Sequence, residues 1–181
     1  MLEGTHVFEG KRTTLREVRE FQAGEKPGLV SSTEAGDGYS SDELSFLGYV
    51  SIRRQVKFTT LRQEGNEAAN ELSFRGDWGR MPIGSKVGYT LASRSTYTST
   101  GTLPQQTNTS ECQIINSISA AVLHPALKGD AKLMECRGLQ DQYKQVFKVY
   151  FLQDYSYLIA LESSETKFSF FSKKITSVEQ N

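Results

Sequence analysis

From Phe46 onward, apolar and polar residues alternate with a period of two over long parts of the chain. Val50, Ile52, Val56 and Phe58 share one parity and Ser51, Arg53, Gln55 and Lys57 the other, the pattern of a strand with one face in water. The polar stretch RQEGNEAANE (residues 62–71) turns the chain, and Leu72 with Phe74 begins the return. The glycine-punctuated RGDWGRMPIGSK then leads to a strand opened by Val87, Tyr89 and Leu91. That strand continues through SRSTYTST until Gly101 and Pro104, and its alternate hydroxyls suit an exposed ribbon or edge. Three later runs, residues 146–152, 155–161 and 168–171, are rich in aromatic and β-branched side chains, with Gln153-Asp154 between the first two. They read as consecutive hairpins.

The N-terminal quarter is patterned differently. Thr14 with Glu17 forms a capping box, and Leu15, Val18 and Phe21 fall at helical spacing, so a short helix over residues 13–21 is favoured over a strand. The next stretch, AGEKPGLVSSTEAGDGYSSDE, reads as an irregular surface loop. Its acids Glu34, Asp37, Asp42 and Glu43 lack the alternate-residue spacing of a calcium loop and read as solvated. The expected organisation is a single domain over residues 1–181. An irregular segment, 1–45, with at most one short helix precedes an antiparallel β core, 46–175. Strand following strand predicts an all-β or β-rich fold, a strongly curved sheet, sandwich or incomplete barrel built from consecutive hairpins. Trp78, the only tryptophan, is expected to plug one end of the core.

The chain's two cysteines lie in SECQIINSISAAVLHPALKGDAKLMEC. Cys112, Ile114 and Ile115 sit on one apolar run and Leu133, Met134 and Cys136 on another, with Pro125 and Gly129 as turn signals between them. Antiparallel pairing about His124 sets Cys112 opposite Cys136, which predicts a disulfide. Zinc is disfavoured because two cysteines and two histidines make a poor ligand set. A Cys–His nucleophilic pair is disfavoured because both cysteines lie on strands rather than at electropositive helix termini. His124, Pro125, Lys128 and Asp130 remain as a candidate interaction loop.

Composition narrows the function classes. Twenty-one Lys and Arg balance twenty-one Asp and Glu, giving no net field for a nucleic-acid backbone. No run approaches the roughly 20 apolar residues of a membrane-spanning helix. Asn108-Thr109-Ser110 matches the glycosylation sequon, a short and weak pattern. The chain has no Gly-x-Ser-x-Gly elbow, phosphate-cradling glycine loop or His-Glu-x-x-His, and Glu162 with Glu165 reads as a solvated pair. No catalysis, metal or cofactor is therefore expected. The start lacks a secretory signal's apolar core and cleavage site. It fits either a cytosolic chain or an exported one whose signal is replaced by a leader such as Met1-Leu2-Glu3, and the predicted disulfide favours export.

MPIGSKVGYTL, followed by a polar strand, Cys112, LHPALKGDAKLMEC and YFLQDYSYLIAL, resembles a loose pattern in uncharacterised exported β-rich proteins of Gram-negative bacteria. The similarity covers residues 81–161. It implies a periplasmic or envelope β-domain and carries over no catalytic residue. The leading expectation is a non-catalytic protein-binding factor (an inhibitor, immunity-type or accessory protein) using a strand edge or the His124 loop. The alternative is a carrier of a lipid or other apolar ligand in a curved sheet or barrel. The sequence does not specify the oligomeric state.

Overall fold

The computed structural model describes residues 1–36, 38–59 and 63–179. Its thirteen strands are β1 (Leu2–Phe8), β2 (Lys11–Ala23), β3 (Leu29–Gly36), β4 (Tyr39–Phe46), β5 (Val50–Phe58), β6 (Gln63–Arg75), β7 (Lys86–Tyr97), β8 (Gly101–Thr102), β9 (Gln106–Ser119), β10 (Asp130–Gly138), β11 (Phe147–Leu152), β12 (Tyr157–Ser163) and β13 (Ser169–Ile175). Each pairs antiparallel with the next in sequence, except that β9 passes the two-residue β8 to pair with β7. A ladder from Leu2↔Ile175 to Phe8↔Ser169 joins β1 to β13 and closes twelve strands into an up-and-down barrel. Closure gives the ring strands partners on both sides, which an open curved sheet cannot do. The closed barrel is therefore more specific than the sandwich or incomplete barrel expected.

Pairing partners in a ladder point to the same face, so the register sorts inward from outward positions. Inward Val87, Cys112 and Cys136 lie side by side across β7, β9 and β10, and Met134 lies beside Val149 across β10 and β11. They form one buried cluster with Ile114, Phe151 and Leu158. Trp78 and Met81, from the β6–β7 crossing, pack into this cluster, and the Trp78 indole N–H donates to the Gly88 carbonyl at 3.2 Å. Outward positions carry the ion pairs Arg16–Glu3, Lys57–Glu64, Lys86–Glu111, Arg137–Glu111 and Lys148–Glu162.

A second cluster forms at the β12–β13 seam, where Glu162↔Ser172 is the one register pair. Tyr157, Ile159 and Leu161 pack there with Leu2 and Val30, from the inward sets of β1 and β3, and with Ala120 and Leu127 from the β9–β10 loop. Leu158 and Ala160, on the other face of β12, join the first cluster. β12 is thus sandwiched between the two clusters.

Residues 1–45 correct the expectation of an irregular segment, since four strands occupy them. Residues 13–21 lie within β2 rather than a helix. Ladders to β1 and β3 satisfy its backbone on both edges, and Val18, grouped with Leu15 and Phe21 by helical spacing, points to the opposite face and is 48% exposed. Tertiary pairing outweighs the few tenths of a kcal/mol that helix propensity contributes per residue. Leu2, placed in a leader by the sequence reading, is buried in the barrel. The turn expected at residues 62–71 is strand from Gln63 onward, and Arg62 lies outside the described residues. The hydroxyl-rich end of β7 is paired with β6 as far as Tyr97, but β9 reaches only Ser93 and the short β8 covers Thr96 and Tyr97. Ser93 is therefore buried, while Arg94, Thr96 and residues 98–100 are exposed as an outward ribbon should be.

Cys112 and Cys136 face each other in register and are joined by a disulfide with a sequence separation of 24. In the chain-entropy treatment a loop of this size stabilises the fold by about 3–4 kcal/mol. Cys136→Ala should therefore lower the melting temperature by roughly 7–14 °C under oxidising conditions. Both sulfur-bearing residues are buried, so a smaller loss of about 1 kcal/mol should persist in reductant. Paired melting curves would check this, and equal losses in both conditions would show that the bond does not restrain the unfolded chain.

Candidate functional site: an ionic barrel interior

One side of the barrel is packed with apolar side chains, whereas the other is lined by charge. Register places Glu17 and Arg19 of β2, Glu34 of β3, Glu43 of β4, Arg54 of β5, Glu67 of β6 and Lys173 of β13 on the inward face. Arg19 donates to Glu34 at 2.6 Å and lies 3.6 Å from Glu17. Lys173 holds the other oxygen of Glu17 at 2.7 Å. The Tyr39 hydroxyl donates to Glu34, and Arg19 also reaches the Tyr157 hydroxyl at 3.4 Å. The Phe21 ring stacks on Tyr157 at 4.2 Å and shields this network from one side.

The side chains of Glu17 and Glu34 are only 6% and 14% exposed, so these partners stand in for the water that burial removes. Burial alone would raise the Glu34 carboxyl. The Arg19 charge and the Tyr39 hydroxyl outweigh it and hold the group below the usual carboxylate range. The Tyr39 phenol is pushed upward by burial and by donating to the Glu34 carboxylate. Tyr49 is pushed upward by burial, with a smaller contribution from Tyr89.

Two cavities open along this charged face. One, of about 260 Å³, is lined by Tyr39, Arg54, Val56, Phe58, Glu67 and Tyr97. The other, of about 250 Å³, is lined by Arg19, Glu34, Glu43, Tyr49, Arg54 and Lys173, and reaches Leu158 and Phe171 on either side of the β12–β13 seam. Arg54 lines both. Among the described residues its guanidinium has one hydrogen-bond partner, Ser41 Oγ at 3.4 Å, and its Nε has none.

The residues singled out from sequence lie elsewhere. Cys112 and Cys136 are core residues. His124 lies beyond the last residue of β9, separated from Cys112 by roughly 20 Å of extended chain, and its Nδ1 accepts from the Ala126 N–H at 3.2 Å. Pro125, Lys128 and Asp130 are exposed, while the Lys128 N–H donates to the Tyr155 hydroxyl at 3.1 Å and Leu127 is buried in the second cluster. Anchored in this way, the loop caps the barrel rather than standing clear of it. Of the acids weighed for calcium, Glu34 and Glu43 point inward and Asp42 is exposed, while Asp37 lies outside the described residues. No cluster of three or more potential metal ligands occurs among the described residues. Glu162 pairs with Lys148 on the surface and Glu165 is exposed.

Sequence reasoning missed the ionic set because alternation was read as apolar inside, polar outside. A usable signal existed in β2, where Arg16, Val18 and Glu20 alternate with Leu15, Glu17 and Arg19. A strand that is polar on both faces needs a polar interior. No protein-family model, curated protein or solved structure matches the chain.

Removing one partner of a buried ion pair costs about 3–5 kcal/mol. Glu34→Gln should fall near the lower end, because Glu17 stays 3.6 Å from Arg19. The lowered Glu34 value means that the unfolded chain takes its proton more readily than the folded one. Its contribution is therefore present above the unfolded carboxyl's pKa of about 4.3 and is lost as pH falls through the lower folded value. Urea unfolding of the wild type should lose more stability between pH 5 and 3 than that of Glu34→Gln, and parallel acid limbs would contradict the assignment.

Proposed function

We propose that this protein is a non-catalytic binding protein that holds a small polar ligand inside its barrel. The carrying observation is Arg54, an under-partnered guanidinium on the wall of two cavities. Arg54 is partly buried, its Nε is shut off from water with no hydrogen-bond partner among the described residues, and such a group is costly to keep for structure alone. In a barrel whose other half is packed with apolar residues it is a fitting place for a ligand. The charged lining shifts the expected cargo from lipid to polar molecule. Outward ion pairs around the wall support a barrel that faces water, since Lys or Arg on a lipid-facing strand costs about 2–4 kcal/mol at the bilayer midplane. No helix among the described residues is long and apolar enough to cross a membrane. The Cys112–Cys136 bond supports an oxidising, exported location.

The protein-binding reading is a second proposal, with a changed surface. Ring closure limits strand addition, but exposed Phe8 and Tyr143 lie at the rim where Tyr143 packs on Phe168 at 4.6 Å, beside the β1–β2 turn. Such a rim is suited to a partner's apolar side chain.

The ligand reading is tested by saturation-transfer NMR with a panel of small amines, carboxylates, amino acids, sugars and nucleosides. At least one class should receive magnetisation from the protein. Val56→Trp, which fills the first cavity, should abolish the transfer while the circular dichroism spectrum is retained. No transfer to any class, or unchanged transfer to the filled variant, would overturn the proposal.

A further inference from the structure

The unmet bonding capacity around Arg54 has a definite charge pattern. In the ladders, Arg54 lies between Glu43 on β4 and Glu67 on β6. Glu43 lines the second cavity and Glu67 the first, where one Glu67 oxygen accepts from Ser93 Oγ at 2.8 Å. Among the described residues neither carboxylate forms an ion pair with Arg54, whereas Arg19 and Lys173 are each matched to a carboxylate. The groups on this wall that have no ion-pair partner among the described residues therefore run negative, positive, negative across three adjacent strands.

Simple ions fit this row poorly. An anion bound to the guanidinium would sit beside two carboxylates, while a cation bound to Glu67 would sit beside an unpaired guanidinium. A molecule carrying both charges satisfies both, because its carboxylate meets Arg54 in the two-pronged geometry that guanidinium favours and its ammonium meets Glu67. Adjacent strands lie about 4.8 Å apart, so the two protein charges are offset by a short span like that between the ammonium and carboxylate of an α-amino acid. The cavity of about 260 Å³ lies below the roughly 300–1,000 Å³ usual for drug-sized ligands, which favours a small metabolite. Its remaining wall, Tyr39, Val56, Phe58 and Tyr97, offers apolar and aromatic surface for a side chain.

We infer that the first cavity binds a free amino acid, with its carboxylate on Arg54, its ammonium on Glu67 and its side chain against Phe58 and Tyr97. This assignment rests on the ligand-binding reading of the barrel and narrows it to one chemical class.

Calorimetric titration of the full chain with each of the twenty standard amino acids tests it. The best binder is then compared with its decarboxylated amine and its deaminated acid. At least one amino acid should bind, and both analogues should bind at least tenfold more weakly. Arg54→Leu and Glu67→Gln should each weaken binding at least tenfold. Arg54→Lys, which keeps the charge and guards against a folding defect, should retain part of the affinity. Absence of binding by every amino acid, an analogue that binds as well as its parent, or affinity unchanged in Arg54→Leu would each overturn the assignment. If another class of compound binds wild type but not Val56→Trp while no amino acid binds, the zwitterion assignment fails and the barrel reading stands.

Discussion

The ladder between β1 and β13 is the constraint on which this architecture depends. Every other strand contact in the ring is between strands near in sequence, with β9 passing only the short β8. The β1–β13 pairing instead joins opposite ends of the described chain over seven register positions, from Leu2↔Ile175 to Phe8↔Ser169. Without it the meander would be an open sheet, and the inward side chains of β2 and β3 would lose the enclosure that keeps Glu17 and Glu34 dry. Forming so non-local a ladder carries a loop-closure cost that the short hairpins avoid.

Enclosure has opposite effects on the two halves of the interior. Around Met134, Val149 and Ile114 it removes apolar surface from water, worth roughly 25 cal/mol per Å². Around Arg19 and Glu34 it removes charges from water, which stabilises nothing unless they find partners. The Arg19–Glu34 bond at 2.6 Å, the Lys173–Glu17 bond at 2.7 Å and the Tyr39 hydroxyl supply those partners. Arg19 Nε and Glu17 Oε2 also lack hydrogen bonds, but among the described residues Arg54 has no carboxylate partner as Arg19 and Lys173 do, and this separates a structural ion network from a candidate binding wall.

Much of the fold could be read from residue order, but only where one face was apolar. β5, apart from Arg54 on its inward face, and the start of β7 alternate between apolar and polar, and the symmetry of Cys112 and Cys136 about the His124 loop matches the register of β9 against β10. β2, β3 and β4 escaped because their inward positions hold Glu17, Arg19, Glu34, Ser41 and Glu43, so neither face looks like a core. The site was illegible for the same reason. A charged residue signals solvent in an isolated strand, and only the register of Arg54 against Glu43 and Glu67 reveals that these three share an enclosed wall.

The seam between β12 and β13 gives the ring an uneven stiffness. Elsewhere the ring ladders carry six or more register pairs, whereas this one carries Glu162↔Ser172 alone, supplemented by Ser163 Oγ accepting from the Phe171 N–H at 2.9 Å. A hoop with one thin joint changes its cross-section there first, and the second cavity reaches that joint through Leu158 and Phe171. Amide exchange in β13 facing the seam should accordingly be governed by local opening, while the amides of β9 and β10, cross-linked through their cysteines, exchange only when the whole barrel comes apart.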